Sequence, residues 1–438
     1  MVNCLIIGHG AREHVIGETL VKGGAKLFAF MSFKNAGLDD LSEEIKIQSE
    51  TDFKEILDFG KKNNVDFAVI GPEAPLVVGI VNALEKGGIP CVGPNIEAAQ
   101  LEGSKVFMRA LLEKYKIPSN VKNKMFDSMD HLESYIKDIG QENIVVKPEG
   151  LTGGKGVKVY GDHLFSKKDI IEYCKELIQN KSRFLLEEKC EGEEFTLQAF
   201  VDGKNVVGSP LVQDHKRAYE DDKGPNTGGM GSYSMEDHLM PFITQNDVDI
   251  ALEDMKKTVA AVKAETGVEY KGFLYGQFMK TADGLKLIEF NSRWGDPEAM
   301  NVLPILKNNF VDICWAVING NLPNNFEFDK QATVCKYLAP EGYPVNPKKD
   351  EPITLDKKKL EKVGAKYYYA SVYREGDKIY TTTSRAIGIL GISNSLENAE
   401  KIAEKGVGYV QGKLFHRKDV GTRSLLQKRI NHMNSLLE

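Results

Sequence analysis

The sequence predicts an α/β protein whose later part becomes α+β. Three observations carry that reading. Over roughly the first hundred residues, short apolar runs alternate with amphipathic helical stretches, the pattern of a parallel sheet covered on both faces. From Glu191 to about Gly320 the chain is strand-rich, interrupted by one long helical stretch, "NDVDIALEDMKKTVAAVKAETG". Within that region "LYGQFMKTADGLKLIEFN" reads as a hairpin turning at Asp283-Gly284, a favoured turn dipeptide.

In chain order, "VNCLIIG" is a strand ending in glycine, with a helix beginning near Arg12. "AKLFAFM" is a second strand, and "DFKEILDFGKKNN" a helix with Phe53, Ile56, Leu57 and Gly60 on one face. "DFAVIG", a helix from about Pro75 to Lys86, and "IPCVG" complete the first unit. The carboxyl ends of its strands carry "GHGAREH", "NAG", "GPEAP" and "GPN", where open sheets of this kind bind ligands. A helix from about Ser104 to Tyr115 runs into the break "KIPSN", and a smaller α/β unit occupies about Asn120 to Cys190. After "NGNLPNN" a last domain begins, with strands in "ATVCKYLA", "YYYASVY" and "KIYTTT" and a helix near Leu396 to Lys405.

At 438 residues the chain suggests about three domains. A net charge of -6 leaves no basic excess for a phosphate backbone, so no nucleic-acid partner is expected. The six cysteines are scattered without a CxxC, which predicts buried thiols in a reducing compartment. The apolar run in "MVNCLIIGHG" is too short for a secretory leader and no run reaches membrane length. The expectation is a cytoplasmic protein without a membrane partner, and a monomer.

The chemistry starts at "VVKPEGLTGGKGVKV". Four glycines fall within residues 150–156: Gly150, Gly153, Gly154 and Gly156, with Lys155 among them. This is not a Walker loop, which needs Ser or Thr after its lysine; here Gly156 follows Lys155. Strand-like runs enter and leave, so the loop reads as a flap that lays backbone N–H groups over phosphates, with Lys147 reaching them as a point charge. In "LKLIEFNSRWGDPE", Glu289 and Asn291 lie two apart on one strand face and offer hard oxygens suited to Mg²⁺. A three-residue hairpin loop would set Gln277 opposite Glu289 as a further oxygen. Arg293 follows where a phosphoryl group would be transferred. "RFLLEEKCEGEEFTLQAF" supplies acids for ribose hydroxyls, and the backbone near Glu187 can pair with adenine. "GHGAREH" opens a helix and favours an anion. It is no dinucleotide fingerprint, because Glu13 takes the third glycine position.

Together these segments resemble the ATP-grasp enzymes. "GHGAREH", "GPEAPLV", "QLEGSK", "KPEGLTGGKGV", "QDHKR", "GPNTGGMG" and "IEFNSRWGDPE" narrow the resemblance to the phosphoribosylamine–glycine ligase (glycinamide ribonucleotide synthetase) family, from residue 2 to about residue 420. The "DHKR" and "GPNTGGMG" segments are the specific ones. The resemblance implies an ATP-grasp fold with an N-terminal parallel-sheet domain over 1–103 that binds phosphoribosylamine. An ATP-grasp domain would span 104–325, its flap subdomain lying at about 120–190, and a small C-terminal α/β domain would span 326–438. It implies an ADP-forming ligase of purine synthesis that joins glycine to 5-phosphoribosylamine through glycyl phosphate.

By the same resemblance, Lys105 and Lys147 are the nucleotide-phosphate lysines, and Glu187 and Glu194 belong to the adenosine-binding segment. Glu289 and Asn291 hold Mg²⁺ or Mn²⁺; Gln277 stands where many ATP-grasp enzymes have a glutamate ligand. Gly10, Arg12 and Glu13 serve the ribose phosphate, and Glu73 the ribose hydroxyls. Asp214 and Arg217 are candidates for the amino substrates, Asn226 for the loop closing over them, and Arg293 for the glycine carboxylate. His215 reads as structural before it reads as a general base. "GHGAREH" departs from the commoner "GNGGREH" at His9 and Ala11.

Overall fold

The computed structural model describes residues 1–151 and 156–438. The first unit is a five-stranded, all-parallel sheet in the order Ser42–Ile47, Lys26–Met31, Asn3–Ile7, Phe67–Ile70, Cys91–Val92. The central strand Asn3–Ile7 is buried along Cys4 to Ile7, as expected for a sheet covered on both sides. The edge strand Ser42–Ile47 was not anticipated: its sequence, "SEEIKI", is too polar to stand out. The helix expected from Pro75 to Lys86 is two helices, Glu73–Val77 and Ile80–Lys86, separated at Gly79, whose φ of +94° no longer continues a right-handed helix.

The flap subdomain is a four-stranded antiparallel sheet in the order Asn123–Phe126, Phe184–Glu188, Ile144–Pro148, Lys158–Val159, covered by the helices Leu132–Ile139 and Lys167–Gln179. It has its own core, including Phe126, Ile136, Val146, Ile170 and Phe184. The glycine loop joins two antiparallel strands of this sheet, as the sequence suggested. Its tip, with the expected sites Gly153, Gly154 and Lys155, lies outside the described residues.

Facing it is a second antiparallel sheet, Val206–Gly208, Glu193–Asp202, Lys271–Thr281, Gly284–Asn291, backed by the long helix Gln245–Thr266. The hairpin turn is tighter than the three-residue loop considered above. Thr281 faces Gly284, so only two residues turn. A β-bulge at Ile288 then inserts one residue and brings Gln277 opposite Glu289 after all.

A further sheet runs Gln213–Asp214, Gly231–Ser234, Ala332–Pro340, Ile387–Ser393, Lys366–Tyr369. Its strands come from both sides of residue 325, so the "DHKR" and "GPNTGGMG" segments are built onto the C-terminal sheet. The chain ends in a helix, Arg423–Leu437, which was not anticipated and is capped by Thr422. Among the described residues no helix is long and apolar enough to cross a membrane. Five cysteines are buried and Cys190 is partly so; all are free thiols.

Candidate active site

Where the flap sheet, the second sheet, the parallel sheet and the C-terminal sheet meet, they enclose a cavity of about 740 Å³. It is lined by Lys105, Lys147, Asp214, Glu289, Asn291 and Arg293, among others.

Local folding explains how the cations arrive there. Ser104 caps the helix Lys105–Lys114, its hydroxyl accepting from the Phe107 N–H at 3.0 Å. That puts Lys105 at the helix start and Arg109 one turn later on the same face. Arg109 is fully buried and grips Glu187 with two N–H groups, at 2.8 and 2.9 Å. Lys147, on the strand entering the flap loop, reaches Glu187 Oε2, which also accepts from Arg109, at 2.8 Å, and donates to the Ile288 carbonyl at 3.1 Å. The same carbonyl accepts from Arg109 at 2.9 Å, so the bulge supplies an acceptor for both cations. Burial pushes the Glu187 carboxyl up, but Arg109 and Lys147 outweigh it and hold it at about 2. The Glu187 carboxylate therefore faces protein cations, not a ribose. Lys105 donates to the carbonyl of Gly150, and its pKa is lowered, chiefly by burial.

Glu289 and Asn291 line the cavity from one strand face, and neither side chain has a hydrogen-bond partner among the described residues. Burial would raise the Glu289 carboxyl, yet Lys216, Lys147, Lys105 and Arg293 hold it below its ordinary value. An ionised, uncommitted carboxylate beside an uncommitted amide oxygen is the donor set a hard divalent cation takes, the remaining ligands coming from substrate phosphates and water. Gln277 is opposite, but its amide oxygen accepts from Lys216 and its amide nitrogen donates to Glu194. The oxygen expected to ligate a metal is thus engaged by an ammonium.

Asp214 faces the same cavity. Its carboxyl is pushed up to about 7 by burial, with Glu298, Glu194 and Glu289 adding to the effect and Lys216 opposing it. Burial also raises Glu298, which accepts from Tyr275 at 2.9 Å. Asn226 and Arg217 both line the cavity, and there Arg217 is paired with Asp162 of the flap subdomain at 2.5 Å. His215 is buried, and neither ring nitrogen has a partner among the described residues. Burial, then Arg417 and Arg429, lower its pKa to about 3, which leaves it neutral and a weak base.

At the parallel-sheet end, Arg293 is held by Glu102 at 2.9 Å and Glu73 at 3.3 Å. Burial raises Glu102 to about 7 against the pull of Arg293; Glu73, where Arg293 and Arg12 overcome burial, sits at about 2. Glu13 is turned inward: it accepts from the Gly10 N–H and from Arg12 Nε, each at 2.6 Å. Its side chain fills the space that Cβ atoms at Gly8, Gly10 and Gly71 would need. Glu13 thus caps its own helix and fixes Arg12, and one amide expected for the phosphate is already bonded. His9 pairs with Glu50 at 2.5 Å.

Sequence reasoning missed Lys216, Glu102, Glu298 and Arg385. Lys216 lay in plain view within "DHKR", between residues that were singled out. Arg385, from the C-terminal part, donates to the carbonyls of Gly228 at 2.7 Å, Gly229 at 2.9 Å and Asp296 at 3.1 Å. Nothing in the local sequence around it signals that role.

Comparisons with known proteins give a consistent result. Family models match in three consecutive blocks: the phosphoribosylglycinamide synthetase N domain over 2–102, its ATP-grasp (A) domain over 103–299 and its C domain over 333–423. The chain is 49% identical to the phosphoribosylamine–glycine ligase of Methanocaldococcus jannaschii, over 99% of both chains. It is likewise 49% identical to that of Pyrococcus furiosus, over 100% of this chain and 98% of the other. The crystal structure of phosphoribosylamine–glycine ligase from Thermotoga maritima superposes with a TM-score of 0.81 at 28% identity, covering 95% of this chain and 100% of that one.

Proposed function

The chain belongs to the phosphoribosylglycinamide synthetase family, and we propose that it joins glycine to 5-phosphoribosylamine with conversion of ATP to ADP and phosphate. The observation that supports this reading is the meeting, in one cavity, of Lys105, Lys147, Asp214 and the Glu289–Asn291 pair, whose side chains have no hydrogen-bond partner among the described residues. Near-half identity to ligases of that name over the full chain supports it.

In the first step a glycine carboxylate oxygen attacks the γ-phosphorus of ATP, the bond to the β–γ bridging oxygen breaks, and ADP leaves. Two anions must meet, so the residues contribute positive charge. Lys105 and Lys147 face the nucleotide phosphates. Arg293 meets the glycine carboxylate; the raised pKa of Glu102 leaves that arginine's charge less fully neutralised near pH 7. Glu289 and Asn291 would hold Mg²⁺ or Mn²⁺, which would supply charge neutralisation at the phosphates. Each well-placed group of this kind is worth roughly 3 kcal/mol in a barrier. In the second step the amine of phosphoribosylamine attacks the acyl carbon of glycyl phosphate, the C–O bond to the phosphate breaks, and phosphate departs with one former carboxylate oxygen, carrying away the proton the amine gives up. Asp214 orients an amino group. The flap strands close over the site and keep water from the acyl phosphate.

The parallel-sheet part, 1–103, serves the ribosylamine: Arg12, fixed by Glu13, offers charge to its phosphate, and Glu73 faces its hydroxyls. Residues 104–325, with the flap subdomain at about 120–190, serve ATP, and 326–438 close the far side. Glu194 and the backbone leaving the strand Phe184–Glu188 border the adenosine. A coupled assay of ADP release across small amino acids tests the reading. ADP should form only with glycine and phosphoribosylamine together; no turnover with that pair overturns it.

A further inference from the structure

The C-terminal helix Arg423–Leu437 lies almost entirely beyond the matched C domain, yet one of its side chains reaches the cavity wall. Arg429 donates to Asp222 and lies 3.4 Å from Glu193. One turn further on, His432 holds the other oxygen of Glu193 at 2.7 Å. Glu193 is buried and begins a strand; its neighbour Glu194 faces the opposite way, toward Gln277 in the site.

Asp222 belongs to the connection between the paired strands Arg217–Tyr219 and Lys223–Asn226. That connection is unusual. Asp221 and Asp222 both have left-handed backbones, with φ of +59° and +56°. Each such non-glycine residue costs free energy and persists only where its surroundings hold it. Here the holding groups are C-terminal. Asp419 accepts from the Asp221 N–H at 3.0 Å, and buried Arg417 donates to Asp222 at 2.9 Å and to the Arg217 carbonyl at 3.2 Å. Lys216, which bonds Gln277 in the site, immediately precedes this segment, and Arg217 within it pairs with Asp162 of the flap subdomain.

We propose that Arg429 is a positioning residue for the nucleotide site. By clamping Asp222 and Glu193 together, it sets the two segments that carry Lys216 and Glu194, and it holds Arg217 where the flap subdomain docks. The role of the cavity as a nucleotide site rests on the function proposed above. The clamp itself is read by equilibrium binding, which needs no turnover.

The test uses the full chain as wild type, R429A, R429K and D222N, with K428A, exposed on the same helix, as control. Binding of a non-hydrolysable ATP analogue with Mg²⁺ is measured by calorimetry, alongside KM for ATP and thermal stability. R429A and D222N should each weaken analogue binding and raise KM for ATP on the order of tenfold, the usual size of an effect from a group that orients a ligand-contacting side chain. R429K should recover part of the loss, a double variant combining R429A with D222N should be no worse than the poorer single one, and K428A should match wild type. If R429A does not fold, R429K and D222N carry the same comparison. Analogue affinity and KM for ATP within twofold of wild type, with only the melting temperature lowered, overturn the proposal; so do fully additive losses. Wild type that binds the analogue but forms no ADP with glycine and phosphoribosylamine would reject the proposed reaction while leaving the clamp measurable.

Discussion

Glu187 shows how one side chain can organise a site it does not chemically serve. Its carboxylate is buried between Arg109 and Lys147, which fixes the direction from which Lys147 meets the cavity. Removing one partner of a buried pair leaves the others uncompensated, at about 3–5 kcal/mol. Glu187→Gln should therefore lower stability by that order and weaken ATP binding. The carboxyl is depressed, so its contribution is present above the ordinary carboxylate range and lost as pH falls through about 2. Denaturant melts at pH 7 and pH 3 should show the variant losing less stability than wild type; parallel losses would contradict this.

Asp214 has the opposite sign. Raised to about 7 by burial and neighbouring acids, it favours folding below the ordinary carboxylate range, an effect lost as pH rises through about 7. An ammonium group binds the ionised form, so KM for the amino substrate it holds should fall as pH rises toward 7 and level off above. Asp214→Asn should raise that KM roughly tenfold, flatten its pH profile and leave KM for ATP nearly unchanged. Unchanged KM values for both glycine and phosphoribosylamine would count against the assignment.

Among the elements, the flap strands and the hairpin over 271–291 differ in how legible they are. The flap strands stood out because apolar runs bracket the glycines, and the structure pairs Val145 with Val159. The pairing of Gln277 with Glu289 fits a three-residue loop in the sequence, but the chain makes it with a two-residue turn and a bulge. A bulge adds one residue without any local signal, and its freed Ile288 carbonyl then anchors Lys147 and Arg109. The polar edge strand Ser42–Ile47 and the amphipathic helix Arg423–Leu437 carry weak patterns for the same reason: only part of each is buried. At the flap's base, Gly150 has a φ of +82°, with nothing near the position of a Cβ among the described residues. Gly150→Ala meets no clash with the described residues and costs backbone strain, roughly 1–2 kcal/mol. The carbonyl that Lys105 binds should shift with it, so KM for ATP should rise a few-fold while the melting temperature hardly moves. An unchanged KM would show that the loop tolerates either backbone.

Across the whole molecule, the site is a joint product of parts that sequence reading treated as separate. The strand Gly231–Ser234 pairs with Ala332–Pro340, about a hundred residues away, so "DHKR" and "GPNTGGMG" are positioned by the C-terminal sheet. Such long-range pairing leaves no trace in local periodicity. For the same reason the contributions of Arg385, Arg417 and Arg429 were not read from their neighbours. What was legible were the short motifs whose chemistry depends on adjacent residues, and these converge on one cavity.

That convergence is meant to bring a glycine oxygen to the terminal phosphorus of ATP, and isotope transfer tests it most directly. Glycine labelled with ¹⁸O in its carboxylate is turned over with ATP and phosphoribosylamine, and the inorganic phosphate is analysed by mass spectrometry. One labelled oxygen should appear in each phosphate released. Phosphate without label, formed alongside the amide product, would contradict the acyl phosphate route.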